Sequence, residues 1–266
     1  MRRPLFPLVL FASLAIVLAF LAIPVIAIFV NTSPGDLISS LGEPEARDAL
    51  WLSLKTSLMA LTLIVAVGTP AAYLLATRRF RGRDLVLTTI ELPLVLPPAV
   101  AGIALLAAFG PKGILGGWID DAGIELVLQT AGVVVALTFV AAPFFVRQAV
   151  ASFEAVDRSL FEAARTMGSS EAGALFKVAI PCAGQGLMAG VALAWGRALG
   201  EFGATLMFAG SFPRITQTVP LAIFARFSTD FTAALALSAV LVIVSAALLL
   251  TVKLVARAPV LGGGQG

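Results

Sequence analysis

Long runs of apolar residues constrain this chain more than any other feature of its sequence. The first run, 5–30, contains 26 residues without a charge, and a helix needs about 20 apolar residues to cross a bilayer. It is too long for the apolar core of a signal peptide, which has about 7–15 residues. Only 12% of the residues are charged, about half the share found in soluble domains. We therefore expect a retained first helix and a chain that folds in lipid.

Six apolar runs divide the chain, and polar or turn-rich connectors separate them. The expected membrane spans are 5–30, 52–76, 89–109, 126–146, 184–208 and 233–255. The main connectors are a polar one at 31–50, a glycine-rich one at 110–125 and the segment 209–232, with an apolar turn at 221–224. The predicted fold class is an all-α membrane protein with six transmembrane helices. We expect one transmembrane domain over 1–258 and a flexible tail at 259–266.

The distribution of basic residues predicts the orientation of the spans. Twelve Lys and Arg residues lie on one side of the predicted membrane: Arg2, Arg3, Arg78, Arg79, Arg81, Arg83, Arg147, Arg158, Arg165, Lys177, Lys253 and Arg257. Five lie on the other side: Arg47, Lys55, Lys112, Arg214 and Arg226. Cytoplasmic loops carry the excess of Lys and Arg. Both termini and the segment 147–182 are therefore expected in the cytoplasm.

The third predicted span contains three prolines within six positions, at Pro93, Pro97 and Pro98. Each interior proline removes a backbone donor and clashes with the preceding turn, at a cost of about 3 kcal/mol in a regular helix. In lipid, the carbonyls freed in this way must be satisfied by neighbouring helices or by a water-lined cavity. The prolines therefore predict either a kinked packing helix or a bend beside a translocation path.

The composition excludes several kinds of chemistry. The chain has no histidine and a single cysteine, Cys182, which excludes Ser–His and Cys–His catalysis, His-ligated metal sites and an intramolecular disulfide. Basic residues are scattered between apolar runs rather than gathered in a stripe, so we expect no nucleic-acid binding. The sequence contains no phosphate-binding loop of the form G-x-x-x-x-G-K-[ST]. We therefore expect no ATP hydrolysis and no bound cofactor in this chain.

The segment 147–182 is the longest charged stretch between the apolar runs. Strong helix formers at 162–167 predict a helix, Gly168 is placed to end it, and Ser170 can cap a second one. Apolar residues recur here at spacings of three and four: Val156, Leu160, Ala163, Ala164 and Met167. This periodicity fits an amphipathic helix on the membrane surface, and it equally fits a helix bound in a groove of a cytosolic partner.

The spacing within this segment resembles a known motif. Glu-Ala-Ala, three residues, Gly, nine residues and a closing aliphatic-x-aliphatic-Pro are similar to the EAA loop of bacterial ABC importer permeases. The matching residues are Glu162, Ala163, Ala164, Gly168, Val178, Ile180 and Pro181. Val178 and Ile180 stand where the family more often has Ile and Leu. The position agrees as well, because the family's loop lies between the penultimate pair of spans.

The resemblance implies that this segment is a coupling helix, which docks into a cleft of a separate ATPase subunit. It also implies a homodimer of the permease, two cytosolic ABC ATPase subunits that hold ATP and Mg, and an extracytoplasmic solute-binding protein. The implied location is the bacterial inner membrane. A bulky residue at position 162 or 168 is then expected to uncouple ATP hydrolysis from transport.

The fifth predicted span carries two charges, Arg197 and Glu201, one helical turn apart. Charges at membrane depth cost several kcal/mol and face partners or water. Either the two residues form a structural ion pair, or Arg197 lies beside a route for an anion. Glycines make one side of this span thin and predict a close approach by another helix, as at a dimer interface. They are Gly184, Gly186, Gly190, Gly196, Gly200 and Gly203.

The strings 91–102, 197–210 and 216–221 are similar to the permeases of molybdate importers and, less closely, of sulfate importers. The resemblance implies an ATP-driven oxyanion importer that works by alternating access, with molybdate as its cargo and sulfate or tungstate as alternatives. Candidates for the translocation path or for helix packing are Pro97, Pro98, Arg197, Gly200, Glu201, Gly203 and Thr205. The rival class is an ion-coupled secondary anion carrier, which would need intramembrane carboxylates such as Glu91 and Glu201.

Overall fold

The computed structural model describes residues 5–257, in which the chain consists of α-helices and short connections without a strand. The helices are α1 Leu5–Val30, α2 Pro34–Gly42, α3 Pro44–Thr77, α4 Arg83–Val95, α5 Pro98–Phe109, α6 Gly116–Asp121, α7 Thr130–Glu154, α8 Arg158–Thr166, α9 Glu171–Ala174, α10 Ile180–Leu199, α11 Gly203–Ala209, α12 Val219–Phe227 and α13 Phe231–Arg257. A π-helical turn, Leu175–Ala179, joins α9 to α10. The predicted all-α class is confirmed. Arg2, Arg3 and the predicted tail 259–266 lie outside the described residues.

Within residues 5–257, five helices are long and apolar enough to cross a membrane, and the bent pair α4–α5 makes a sixth span if it is counted as one. The first prediction, 5–30, coincides with α1. The second, 52–76, was too short, because α3 begins at Pro44. The fourth, 126–146, is displaced, because α7 runs over Thr130–Glu154. The last, 233–255, lies within α13.

The polar connector predicted at 31–50 contains helix α2 and the start of α3. Ser33 and Asp36 form a capping box at the start of α2: the Asp36 N–H donates to the Ser33 Oγ at 3.1 Å, and the Ser33 N–H donates to the Asp36 carboxylate at 3.0 Å. Pro44 then occupies the first turn of α3, where its missing N–H has no helical partner to lose. Local signals at Ser33 and Pro44 therefore start two helices within this polar stretch.

The apolar stretch 221–224, predicted as a turn, belongs to α12. The Val219 N–H donates to the buried Ser53 Oγ at 2.8 Å, and Arg226 pairs with Glu43 at 2.5 Å and with Glu45 at 3.0 Å. The hydrogen bond accepted by Glu43, together with the charge of both carboxylates, raises the pKa of Arg226 above its usual value. These contacts fix α12 to the start of α3.

The core of the bundle lies between α3, α7 and α10. A Cβ added to Gly68 of α3 would come within 2.9 Å of the Phe145 ring on α7, and one added to Gly186 of α10 would come within 2.0 Å of the Ser152 Oγ. A Cβ on Gly190 would also press on α7, at 3.2 Å. Close van der Waals contact of this kind holds helices together where lipid supplies no hydrophobic drive. The predicted close approach at Gly186 and Gly190 is confirmed, but the neighbour is α7 rather than a second copy of the chain.

The third predicted span, 89–109, is broken rather than continuous. The axes of α4 and α5 meet at 119°. Pro93 is accommodated inside α4, whereas the chain is extended at Leu96 and Pro97, with ψ of 132° and 137°. The helical region is disfavoured for a residue that precedes a proline, and here the consecutive prolines Pro97 and Pro98 end one helix and start the next. The prolines therefore break this span into two helices.

The fifth predicted span, 184–208, is also broken. Its helix begins earlier, is continuous through the π-helical turn from Glu171, and ends at Leu199. The chain leaves the helix at Gly200 and Phe202 before α11 begins at Gly203. The sequence predicted that Arg197 and Glu201 share one regular helix. This prediction was wrong. Arg197 lies in the last turn of α10, and Glu201 lies in the break.

Candidate functional site

The loop 78–82 and the segment 155–170 lie at one end of the bundle, which is termed the basic end here. Arg78 forms an ion pair with Glu171, and Arg83 pairs with Glu154 at 2.5 Å. The Arg83 Nε also donates to the carbonyl of Leu75 at 2.8 Å. These contacts join the arginine-rich loop to the end of α7 and the start of α9. The charged segment is therefore held on the bundle at both of its ends.

Helix α8 forms where the sequence predicted a helix. At its start the Ser159 N–H donates to the Asp157 carboxylate at 2.9 Å, and this hydrogen bond lowers the pKa of Asp157 below its usual value. At its end Gly168 has a φ of +81°, and the Ser169 N–H donates to the Ala164 carbonyl at 2.9 Å. This arrangement is a Schellman motif, which needs a left-handed residue at the position of Gly168. The predicted stop at Gly168 is confirmed.

The second part of the motif follows directly. The Ser170 Oγ accepts from the Gly173 N–H at 3.1 Å and caps α9, as predicted. Val178 lies in the π-helical turn, where the Ile180 N–H donates to the carbonyl of Leu175, five residues back. Pro181 then occupies the first turn of α10. Pro181 has no N–H to donate to a carbonyl in the preceding turn. The wider π-helical turn before it accommodates the proline, so the helix continues into α10 without a break.

Helix α8 is attached to the bundle by one side only. Ala164 is 4% exposed, and the ring of Phe161 packs against Tyr73 of α3 with 6.1 Å between centroids. Tyr73 in turn packs edge-on against Phe153 at 5.7 Å. Phe161 was missed as an anchor, because its position falls outside the apolar spacing used to define the helix face.

The side of α8 next to this attached side is open and apolar. The three residues Leu160, Ala163 and Met167, termed the α8 stripe here, recur at spacings of three and four and are exposed. Met167 is 81% exposed, and Glu162 is exposed beside the stripe. The predicted apolar face is thus divided, because Val156 and Ala164 are buried against the chain whereas the stripe is not.

A groove of about 870 Å³ runs beside α8 at the basic end. Its lining includes Tyr73, Arg79, Arg81, Arg158 and Glu162. Charged and aromatic side chains both line it, and one wall is α8 itself. Because α8 borders this groove, a partner that covers the α8 stripe can also contact the charged side chains that line the groove.

The second group of predicted residues lies deeper in the bundle. The Arg197 Nη2 is 2.5 Å from the Glu201 Oε2, and the side chain of Glu201 is only 1% exposed. The other carboxylate oxygen of Glu201 accepts from the Ala204 N–H at 2.7 Å. Glu201 thus neutralises Arg197 and satisfies a backbone donor in the break before α11. Of the two interpretations of this pair, the structural one describes the observed contacts.

The structure brings the two broken spans together. A Cβ on Gly203 would come within 2.7 Å of Pro98, and one on Gly102 within 2.6 Å of the Met207 Cβ. The break at Pro98 therefore packs directly on the break at Gly203. Pro97 and Gly200 are exposed at these breaks, whereas Thr205 is buried and its hydroxyl has no hydrogen-bond partner in the described part of the chain.

Irregular backbone at membrane depth is typical of transporters, where broken helices line the substrate route. In this chain two broken spans are in contact, and an exposed helix is fixed at one end of the bundle. These features define a membrane transport subunit.

Comparison with known proteins then identifies the family. Residues 64–258 match the family described as "Binding-protein-dependent transport system inner membrane component", and the chain belongs to that family. The chain is 40% identical to the molybdenum transport system permease protein ModB of Mycobacterium tuberculosis, over 91% of each chain. It is 36% identical to the probable transport system permease protein NifC of Clostridium pasteurianum, over 97% of this chain and 90% of that one. The sulfate transport system permease protein CysW of Escherichia coli is 34% identical over 76% of this chain and 71% of its own length.

Solved structures share the fold at lower sequence identity. A bacterial ABC transporter involved in the import of alginate aligns with a TM-score of 0.75 at 17% identity, over 96% of each chain. The MetNI methionine ABC transporter aligns with a TM-score of 0.62 at 19% identity, over 79% of this chain and 94% of that chain. The chain therefore has the fold of an ABC importer permease, and the family expected from the EAA-like segment is confirmed.

Proposed function

We propose that this chain is the translocating subunit of an ATP-driven importer of oxyanions, with molybdate as its cargo. The two broken spans in contact support a translocation route, and the names of the relatives over most of the chain support the cargo. The excess of basic residues at one end supports an orientation with the basic end in the cytoplasm. Both termini would then be cytoplasmic.

The α8 stripe is the observation that carries the coupling role. Leu160, Ala163 and Met167 form an apolar surface at the basic end of the bundle, and no described part of this chain covers it. An amphipathic helix of this kind binds in an apolar groove of a partner through residues spaced three and four apart. We propose that the partner is a cytosolic ABC ATPase, which holds ATP and Mg, and that Glu162 contacts its polar rim.

The remaining motif residues support this contact from within the chain. Ala164 holds α8 against the bundle, and Gly168 allows the chain to reverse after it. Val178, Ile180 and Pro181 transmit displacement of α8 into α10, because α9, the π-helical turn and α10 form one continuous helix. Closure of two ATPase subunits would move two copies of α8 together and switch a permease dimer between inward-open and outward-open states.

The translocation route would pass the breaks at 96–98 and 200–202. Arg197 is 27% exposed and is held by Glu201, so its free edge can meet an anion while its charge stays compensated. The buried carboxylate of this pair is also the feature that a second candidate would need, an ion-coupled carrier with Glu201 as the coupling carboxylate. Uptake that needs an ion gradient and no ATPase would favour that candidate.

Reconstitution tests the function directly. The chain would be placed in proteoliposomes with its ATPase and with the oxyanion-binding protein, and molybdate uptake would be measured with and without ATP. We expect uptake that requires both ATP and the binding protein, with sulfate and tungstate as competitors that rank the cargo. ATP-independent uptake would reject the proposal, and preference for sulfate would correct the cargo alone.

Met167→Asp tests the coupling surface, with Met167→Leu as its matched control. Burial of a carboxylate in an apolar groove is unfavourable unless it is paired, so Met167→Asp should abolish co-purification with the ATPase. Met167→Leu preserves the apolar volume and should leave the complex intact. Because position 167 is exposed in the chain alone, neither change should alter the unfolding of the isolated permease. Normal assembly of Met167→Asp would reject the assignment of α8.

A further inference from the structure

A second ion pair lies inside the spans, where the sequence placed none. The Arg147 Nε is 3.1 Å from the Glu91 Oε1, and the pair joins α7 to α4. The sequence predicted Arg147 just outside the fourth span. Helix α7 instead continues to Glu154, so Arg147 is two turns inside its end.

A neighbouring ion pair gives the depth of this one. Arg83 and Glu154 join the same two helices at the basic end, 2.5 Å apart. Arg147 precedes Glu154 by seven residues and Glu91 follows Arg83 by eight, which at 1.5 Å per residue gives about 10–12 Å along either helix. The two helices agree, so the pair Glu91–Arg147 lies about 11 Å deeper in the bundle than the basic end.

The deeper pair is not enclosed by its own chain. The side chain of Arg147 is 59% exposed and that of Glu91 is 39% exposed. Charges at this depth are rare on a lipid-facing surface and normally face a water-filled cavity or another protein group. The surface formed by α4 and α7 around this pair therefore borders something polar.

The backbone of α4 points to the same conclusion independently. Prolines at 93, 97 and 98 cannot donate to the carbonyls of residues 89, 93 and 94, four positions before them. None of the thirteen residues of α4, all of which the structure describes, is buried. Backbone groups freed at membrane depth are tolerated only inside protein or beside a water-filled cavity. The interior of this chain does not enclose α4, so these carbonyls border a water-filled cavity or another protein chain.

Arg147 has donors to spare at this surface. Its Nε faces Glu91, and in the described part of the chain neither Nη atom meets an acceptor. The planar fork of a guanidinium matches two oxygens of a tetrahedral oxyanion. The neighbouring carboxylate weakens such binding, which suits a transient contact on a path, since conduction needs sites weak enough to be left.

The packing of α10 places Arg197 farther from the basic end than the pair Glu91–Arg147. Gly190 of α10 packs on Gln148, which is adjacent to Arg147 in α7. Arg197 follows Gly190 by seven residues, which places it about 10 Å farther from the basic end. Each of the two arginines is held by one carboxylate, and they lie at successive depths of the bundle.

We propose that Arg147 is an oxyanion-binding residue in the part of the translocation path that opens at the basic end, and that Glu91 positions its guanidinium. This inference rests on the proposed function, because it takes the anion to be the transported one. The ligand class is a tetrahedral oxyanion such as molybdate or sulfate. The two Nη atoms of Arg147 provide N–H donors to the anion, and the charge of Glu91 prevents the anion from binding tightly.

Molybdate uptake by variants at positions 147 and 91 tests the role of the Arg147 guanidinium. We compare Arg147→Gln, Arg147→Lys and the double variant Glu91→Gln/Arg147→Gln in proteoliposomes with the ATPase and the binding protein. Loss of one hydrogen-bonded charge should lower molybdate uptake about tenfold or more, with Arg147→Lys intermediate and ATPase assembly unchanged. The control is Arg214→Gln, which removes an exposed arginine whose Nε lies 2.8 Å from Asp48. Wild-type uptake by the double variant would show that the pair only ties α4 to α7, and it would overturn the proposal.

A labelling experiment reports on the site without transport. In a Cys182→Ala background, which removes the exposed native thiol, Val95→Cys provides a reporter one turn beyond Glu91 at a position that is 77% exposed. In nanodiscs with the ATPase, molybdate should slow modification of this thiol by an anionic thiosulfonate, and Arg147→Gln should remove the effect. A thiol that no water-soluble reagent reaches would overturn the proposal. Labelling that follows the anionic lipid content, and not molybdate, would overturn it too, since the site would then hold a headgroup.

The two experiments separate the inference from the proposed function. Protection by molybdate without ATP-dependent uptake would retain the Arg147 site and reject the importer. ATP-dependent uptake that is indifferent to Arg147 would retain the importer and reject the site.

Discussion

Replacing Glu201 with alanine should destabilise the permease more than any exposed substitution at its surface. The carboxylate is 1% exposed and lies 2.5 Å from the Arg197 guanidinium. At that distance the attraction is about 6–7 kcal/mol for an effective dielectric constant of about 20. Desolvation of both charges offsets much of this attraction. The alanine variant loses the attraction that remains after desolvation, and it leaves the Arg197 charge without its partner.

The expected loss follows from what remains after the substitution. Removing one partner of a buried ion pair typically costs about 3–5 kcal/mol, because the other charge stays uncompensated. Arg197 is 27% exposed, so water relieves part of that cost. The Ala204 N–H also loses its acceptor, which costs about 1–3 kcal/mol when no water replaces it. We therefore expect Glu201→Ala to lower the free energy of unfolding by about 3–4 kcal/mol.

The assay is equilibrium unfolding of the purified permease in mixed micelles, with three variants compared. Glu201→Gln retains an acceptor for the Ala204 N–H and should be less destabilised than Glu201→Ala. The double variant Arg197→Leu/Glu201→Gln removes both charges and should approach the wild type, because neutral replacements of a buried pair are often tolerated. A loss below about 1 kcal/mol for Glu201→Ala would refute the reasoning, since it is the range of an exposed pair. A double variant as unstable as Glu201→Ala would do the same.

Three further predictions concern packing and helix ends. Gly186→Val should prevent α10 from packing on α7, because a Cβ would lie 2.0 Å from the Ser152 Oγ, whereas Gly184→Val meets open space and should fold normally; detergent-solubilised yield and thermal unfolding compare the two. Gly168→Ala meets no atom but must hold a φ of +81°, so we expect a loss of about 1–2 kcal/mol in unfolding free energy, and no loss would contradict the strain. The pKa of Asp157 is lowered by the Ser159 N–H, so its contribution to α8 is complete above the pKa of the unfolded chain and is lost as the pH falls through the lower folded value. Asp157→Asn should remove that acid dependence of amide exchange in α8, and an unchanged pH profile would reject the assignment.

The helices of the segment 147–182 were predicted well because their signals are local. Gly168 ends α8 by its own backbone conformation, and Ser170 caps α9 through a residue three positions on. Such signals need no knowledge of distant neighbours. The side of α8 that stays open was not predictable, because Ala164 and Ala163 are alike in the sequence and only tertiary packing buries Ala164 while it leaves Ala163 exposed.

The spans were predicted less evenly. The first, 5–30, is right to the residue, because apolar length alone defines an isolated helix that faces lipid. The fifth was wrong at both ends: a wide turn carries its helix through Pro181, and glycines end it at Leu199. Hydropathy does not register such breaks, because the residues on either side of them are equally apolar.

The amino-acid sequence by itself determined that this chain spans a membrane, that it is all-α, and that a capped helix of EAA type interrupts the spans. Each of these properties depends on composition or on residues a few positions apart. Only the tertiary structure decided that the break at Pro98 packs on the break at Gly203, and that Arg147 lies beside Glu91 at depth. Contacts of that kind join helices far apart in the chain, and their geometry follows from how α4, α7 and α10 pack together.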